Sequence, residues 1–197
     1  MKEIKVRITT TEELLGTASM NPNIHKEFIA SNAPDAATME EEIEAIGVDE
    51  AYEKSMTGFP RKDGKPIVWD YQWKGFFKDT CGMLRKVTGS ECSKLKAYKK
   101  EIDGLIFVEP RAIPILFNGE MGVCQRPLRG QTAQGERIAL ASSESIPAGA
   151  TMEFTVKCFI DSEMKAVVEM LDYGALRGFG QWRNSGKGRF TWEEIKG

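Results

Sequence analysis

Residues 151–192, TMEFTVKCFIDSEMKAVVEMLDYGALRGFGQWRNSGKGRFTW, decide the reading of the fold. Met152, Phe154, Val156, Cys158 and Ile160 alternate with mostly polar residues, the period-two pattern of a half-buried strand. Asp161 is a residue type that caps helices, and Met164, Val167, Val168 and Leu171 then recur at helical spacing. Gly174 is placed to end that helix. A glycine-rich loop follows over 178–189, and Phe190-Thr191-Trp192 reads as a closing strand. Strand, helix, loop and strand in this order call for a sheet with helices laid on one face.

The pattern extends outward from this stretch. Ile138, Leu140 and Ser142 also alternate, and Pro147-Ala148-Gly149 supplies a turn, so 138–160 reads as a β-hairpin. Residues 118–137 are poor in apolar side chains and rich in Gly, Gln and Arg, which predicts a loop or an extended hairpin. Leu105-Ile106-Phe107-Val108 and residues 113–117 read as strands, 71–87 as a helix, and 92–100 as renewed helix. At the start, Ile4, Val6 and Ile8 alternate with Lys5, Arg7 and Thr9. Asn21-Pro22-Asn23 breaks that pattern, and 24–54 reads as helical, with a second helix from near Ala36 after Pro34. The expectation is an α+β, ferredoxin-like (RRM-like) domain over residues 1–197, with an antiparallel sheet, helices on one face and an acidic helical insertion at about 24–58.

Composition narrows the class. With 41% apolar and 28% charged residues the chain is an ordinary globular protein, long enough to bury a core without disulfide or metal staples. Cys81, Cys92, Cys124 and Cys158 form no CxxC pair, and His25 is the sole histidine, so neither a metal site nor a cofactor is expected. No apolar run approaches the roughly 20 residues of a membrane span. The start, Met1-Lys2-Glu3-Ile4-Lys5, reads as a strand rather than a signal peptide, which predicts a cytoplasmic protein with reduced cysteines. The net charge of −2 conceals segregation: residues 34–53 hold eight carboxylates and no lysine or arginine. Outside that run, 27 basic residues face 29 less those eight acidic ones. Local fields are what a ligand meets, so a polyanion remains a possible partner.

The basic residues cluster in three places. The loop Gly178-Phe-Gly-Gln-Trp-Arg-Asn-Ser-Gly-Lys-Gly-Arg189 carries Gly178, Gly180, Gly186 and Gly188, with Arg183, Lys187 and Arg189 inside it and Arg177 just before. Such a loop offers backbone amides to an anion, Ser185 and Asn184 add neutral donors, and Phe179 and Trp182 offer faces for bases. No Gly-Lys-Ser/Thr followed by a helix makes it a Walker A loop, and it precedes a strand where a dinucleotide fingerprint would open a helix. The second cluster is Trp73-Lys74-Gly75-Phe76-Phe77-Lys78, where Lys74 and Lys78 are helix neighbours and Gly75 implies close packing or a close ligand. The third is Arg126, Arg129 and Arg137, since arginine's planar fork suits phosphate.

In order and spacing, Leu176-Arg177-Gly178-Phe179-Gly180 with Ser185-Gly186-Lys187-Gly188-Arg189, the Trp73–Lys78 helix and Ser143-Glu144-x-Ile146-Pro147-x-Gly149 together resemble the RAMP superfamily, the RNA-binding proteins of CRISPR effector complexes. The resemblance covers about 70–190 and is strongest to the crRNA-binding backbone subunits; Lys78 stands where that family usually has arginine. It implies a non-catalytic protein that holds single-stranded, guide-like RNA by its phosphates in a basic groove, through Lys74, Lys78, Arg126, Arg129, Arg177, Gly178, Gly180, Arg183, Ser185, Gly186, Lys187, Gly188 and Arg189. It also implies antiviral defence, self-association in a filament, or assembly with CRISPR effector subunits. Two alternatives stay open: a viral mimic or inhibitor acting on such a complex through protein–protein contacts, and a metal-independent endoribonuclease using His25 as general acid or base.

Overall fold

In the computed structural model, residues 1–20, 56–132 and 135–196 are described. The helices read over 24–54, His25 and all of the acidic run 34–53 lie outside them; at the end of the expected insertion, Met56–Gly58 is a strand.

Three sheets organise the described residues. The first joins β1 (Lys2–Thr10), β7 (Ile106–Glu109), β11 (Thr151–Cys158) and β12 (Phe190–Glu194) in the order β12-β1-β11-β7, with every neighbour antiparallel. The alternation seen in the sequence sets its two faces. Ile4, Val6 and Ile8 of β1 are buried together with Met152, Phe154, Val156 and Cys158 of β11, Val6 lying opposite Phe154. Two helices cover that face. α1 (Asp70–Leu84) buries Trp73, Phe76, Phe77, Thr80 and Cys81, and α3 (Asp161–Arg177) buries Ala166, Val167, Met170 and Leu171. Between α1 and β7 lie a 3-10 turn (Cys92–Lys94) and the short helix α2 (Tyr98–Leu105).

The second sheet contains β2 (Leu14–Leu15), β3 (Ala18–Ser19), β4 (Met56–Gly58), β9 (Gly122–Thr132) and β10 (Gly135–Ile146), ordered β2-β10-β4-β3 with β9 also on β10. Its β10–β4 pairing is parallel. The third is a small antiparallel sheet of β5 (Arg61–Lys62), β6 (Lys65–Trp69) and β8 (Ala112–Pro114).

Several local expectations are corrected. β10 and β11 do not form the hairpin read from their shared period: β10 pairs with β9 along a long ribbon from Gly122↔Ser145 to Thr132↔Gly135, while β11 enters the other sheet. The alternation gives each strand a buried face but does not name its partner. Asp161 is the first helical residue rather than the cap. Glu163, which is buried, accepts hydrogen bonds from the backbone N–H groups of Phe159 and Ile160 and satisfies the helix start. Gly174 does not end α3. A Cβ there would stand 2.0 Å from Cζ of Phe76, so its missing side chain lets α1 and α3 approach, and the helix continues to Arg177.

Candidate nucleic-acid interface

The glycine loop is ordered by the N-terminal segment. Gly188 N–H donates to the Glu13 carbonyl, Phe179 N–H to the Gly188 carbonyl, and Thr11 N–H to the Arg189 carbonyl. Gly188 has φ 69°, and a Cβ on it would meet the Phe179 carbonyl oxygen at 1.9 Å. The close approach that this glycine permits is thus to the loop's own backbone. Phe179 departs from the reading as a base-stacking residue. It is buried, with its ring 4.4 Å from that of Trp73 at an interplanar angle of 20°, and it roots the loop in the core. Trp182 stays half-buried at φ 56°, a left-handed conformation costly for a large side chain.

Arg126 backs that tryptophan. Its guanidinium carbon lies 4.9 Å from the Trp182 ring centroid. The side chain is buried, with Nη1 donating to Ser143 Oγ at 3.2 Å and Nη2 to Gln181 Oε1. Gln181 in turn donates to the Gly16 carbonyl and to Thr57 Oγ1. Arg126 therefore ties the base of the β9–β10 ribbon to the loop. Arg129 lies farther out on the ribbon, opposite Ile138.

Around the loop each cation but one has a carboxylate of the same chain. Arg177 Nε and Arg183 Nη1 both donate to Asp79 Oδ2, at 2.8 and 2.7 Å. Burial pushes the Asp79 carboxyl up, but the two arginines outweigh it and hold its pKa below the ordinary carboxylate value. Lys187 Nζ reaches Glu13 Oε2 at 2.6 Å, a hydrogen bond that raises the lysine's pKa. Burial raises Glu13, and the hydrogen bonds from Lys187 and Ser145 bring it below its ordinary value. Arg189 is exposed with no side-chain partner among the described residues, and Ser185 is exposed at the end of a short 3-10 turn (Arg183–Ser185).

Where the loop meets α1 there is an open cavity of about 230 Å3, lined among others by Thr17, Gln72, Gly75, Asp79, Gly180 and Arg183, with Phe76 and Phe179 as aromatic walls. Gln72, Gly75, Phe76 and Asp79 follow one another at helical spacing, so one stripe of α1 faces the cavity. Lys74 and Lys78 lie on a different stripe. Lys74 Nζ donates to the Asp103 carbonyl at 3.0 Å and sits 4.9 Å from the Phe107 ring centroid, and burial lowers its pKa; Lys78 Nζ pairs with Asp103 Oδ1 at 2.8 Å. The two lysines singled out in the sequence therefore face α2 and β7, while Gln72 and Asp79, which were not, reach the cavity. Helical periodicity counted from Gly75 is the signal that finds them. Gly75 has no packing role: a Cβ there would meet nothing within 4 Å.

The face of the first sheet opposite α1 and α3 is charge-balanced rather than basic among the described residues. Arg7 bridges Glu153 and Glu193 at 2.8 and 2.9 Å, and Lys157 pairs with Glu109. Among the described residues no cluster of three or more His, Cys, Asp or Glu could hold a metal, and no helix is long and apolar enough to cross a membrane.

Sheet order and helix placement define an α+β protein with helices on one face of an antiparallel sheet, a fold with counterparts among solved structures. The chain is similar in fold to a chain in the cryo-EM structure of the type III-B Cmr-beta complex bound to cognate target RNA, with TM-score 0.55 and 14% identity over 98% of this chain. It spans 60% of the length of that chain. A chain of a type IV-B CRISPR complex is also similar, with TM-score 0.48 and 13% identity over 100% of this chain and 93% of the other. No protein-family model matches, and no curated protein sequence is similar.

Proposed function

We propose that the chain is a non-catalytic, single-domain RNA-binding protein in which a ferredoxin-like unit, formed by the four-stranded sheet with α1 and α3, carries the glycine loop as an RNA-binding edge. Single-stranded, guide-like RNA lies over the cleft between that loop and the Gly75 side of α1. The observation that carries the reading is the cavity itself. Gly75 costs a helix about 1 kcal/mol against alanine, nothing packs against it, and it opens directly beneath the basic loop. Arg189 and the nitrogens of Arg177 and Arg183 not used by Asp79 contact phosphate, and Gly178, Gly180, Ser185, Gly186 and Gly188 frame the loop. The RNA in the related type III-B structure supports the ligand class.

The electrostatics set a magnitude. Arg177, Arg183, Lys187 and Arg189 face Asp79 and Glu13, an excess of two positive charges among these six groups. Two phosphates neutralised on a single strand give a salt slope, log K against log salt, of about −1.4. Titration of labelled single-stranded RNA at several salt concentrations tests this. An Arg183/Lys187/Arg189→Ala variant should lose that contribution; a variant that stays folded and binds RNA with unchanged affinity and slope sinks the assignment.

A further inference from the structure

The largest group of cations without an ion pair among the described residues lies away from the glycine loop. Residues 85–100, RKVTGSECSKLKAYKK, hold six cations (Arg85, Lys86, Lys94, Lys96, Lys99 and Lys100) against one acid, Glu91. Elsewhere cation after cation is matched by a carboxylate: Arg7, Arg61, Lys78, Lys157, Arg177, Arg183 and Lys187 all are. Here only Lys94 is, with its Nζ 2.6 Å from Glu91 Oε1. Lys86, Lys96, Lys99 and Lys100 are exposed and make no ion pair or hydrogen bond with the described residues.

The segment is folded, so these charges are held together. Cys92 and Leu95 are buried, and Glu169 of α3 accepts the backbone N–H groups of Glu91 and Cys92 at 3.1 and 2.8 Å. The Arg85 guanidinium lies over the Tyr98 ring, 4.8 Å from its centroid, which brings the two ends of the segment side by side. Glu101, next in sequence, is used at the start of α2, where it accepts the Ala97 N–H, and Asp103 is held by Lys78. Among the described residues none of these four ammonium groups has a counter-charge, and a phosphate backbone would supply one.

We propose that this face, Lys86 with Lys96, Lys99 and Lys100, is a second nucleic-acid surface that takes a phosphate backbone without reading its sequence. Lysine ammonium groups are strongly hydrated point charges, suited to phosphate at variable geometry and poor at the bidentate recognition that bases require. A protein partner fits less well. Val87 is the segment's single exposed large apolar side chain, Leu95 is buried and Tyr98 is covered by Arg85, so the surface lacks the apolar anchors that dominate protein interfaces. The inference does not rest on the cleft: the two surfaces share no residue.

The test uses the full chain with the cleft plugged by Gly75→Leu, titrated with fluorophore-labelled single-stranded homopolymeric RNA. Four phosphates neutralised give a salt slope of about −2.8, twice that expected of the cleft. Adding Lys86, Lys96, Lys99 and Lys100→Gln should abolish the binding while leaving the unfolding midpoint unchanged. Lysine acetylation of the wild-type chain, read by mass spectrometry with and without RNA, provides a second readout that does not depend on the folding of a variant: these four lysines should be protected. Binding that survives the four substitutions, or absent protection, overturns the proposal. Displacement of the RNA by polyglutamate at equal charge concentration overturns it in favour of an acidic protein partner. Loss of the slope near −1.4 in loop variants, with the lysine-dependent slope intact, separates a failure of either proposal from the other.

Discussion

Gly75 gives the sharpest test because stability and binding should move in opposite directions there. The residue sits inside α1 with ordinary helical geometry, and a Cβ built on it has open space to 4 Å. Gly75→Ala should therefore gain the helix-propensity difference, about 0.8–1 kcal/mol, with no steric loss to offset it. For a chain of this size that raises Tm by roughly 2–4 °C, or raises the urea midpoint at unchanged m. Gly75→Leu should be as stable as Gly75→Ala or nearly so, because its side chain enters the cavity. RNA affinity, in contrast, should fall at least about tenfold in the leucine variant, or 1.4 kcal/mol, and by much less in the alanine variant. Chemical denaturation and RNA titration of the three proteins measure both effects. A destabilised Gly75→Ala means that the side chain meets protein and the cavity is closed. A stable Gly75→Leu that binds RNA through the loop as wild type does means that the cavity is not the interface.

Other outcomes follow from the packing and charges. Gly174→Ala should cost about 1–3 kcal/mol in denaturant unfolding despite its better helix propensity, because Phe76 must give way; a neutral or stabilising result refutes the close helix contact. Phe179→Ala should cost about 3–5 kcal/mol, as expected of a buried ring stacked on Trp73; a cost below 1 kcal/mol would put that ring on the surface, free for bases. The folded pKa values of Asp79 and Glu13 lie below their ordinary values, so their stabilisation is complete above the unfolded-state pKa and fades as pH falls through the depressed folded ones. Thermal midpoints should fall below about pH 4, and Asp79→Asn should flatten that decline; an unchanged acid limb in the variant removes Asp79 from the account.

Much of the fold was legible locally. The alternation of Ile4, Val6 and Ile8, and of Met152 through Cys158, names the buried faces of β1 and β11, because a strand's side chains must point alternately whatever lies beyond them. The apolar stripes of α1 and α3 were equally visible. Strand partnership was not. Residues 138–146 and 152–158 have the same period, yet they enter different sheets, and period carries no information about the neighbour. The candidate site was half legible: the loop and the α1 motif do adjoin, but through Gln72, Gly75 and Asp79 rather than through Lys74 and Lys78.

What the sequence determined by itself is where positive charge is written and which segments alternate or turn, since both are properties of neighbouring residues. Which of those charges remain free was decided by tertiary structure alone. Lys187 is matched by Glu13, Arg177 and Arg183 by Asp79, and Lys78 by Asp103, each from a distant part of the chain. Ion pairing falls off within a few ångströms, and only folding brings such groups that close. The same closure puts Phe179 in the core, leaves Gly75 over an open cavity, and leaves the lysines after α1 without a counter-charge among the described residues.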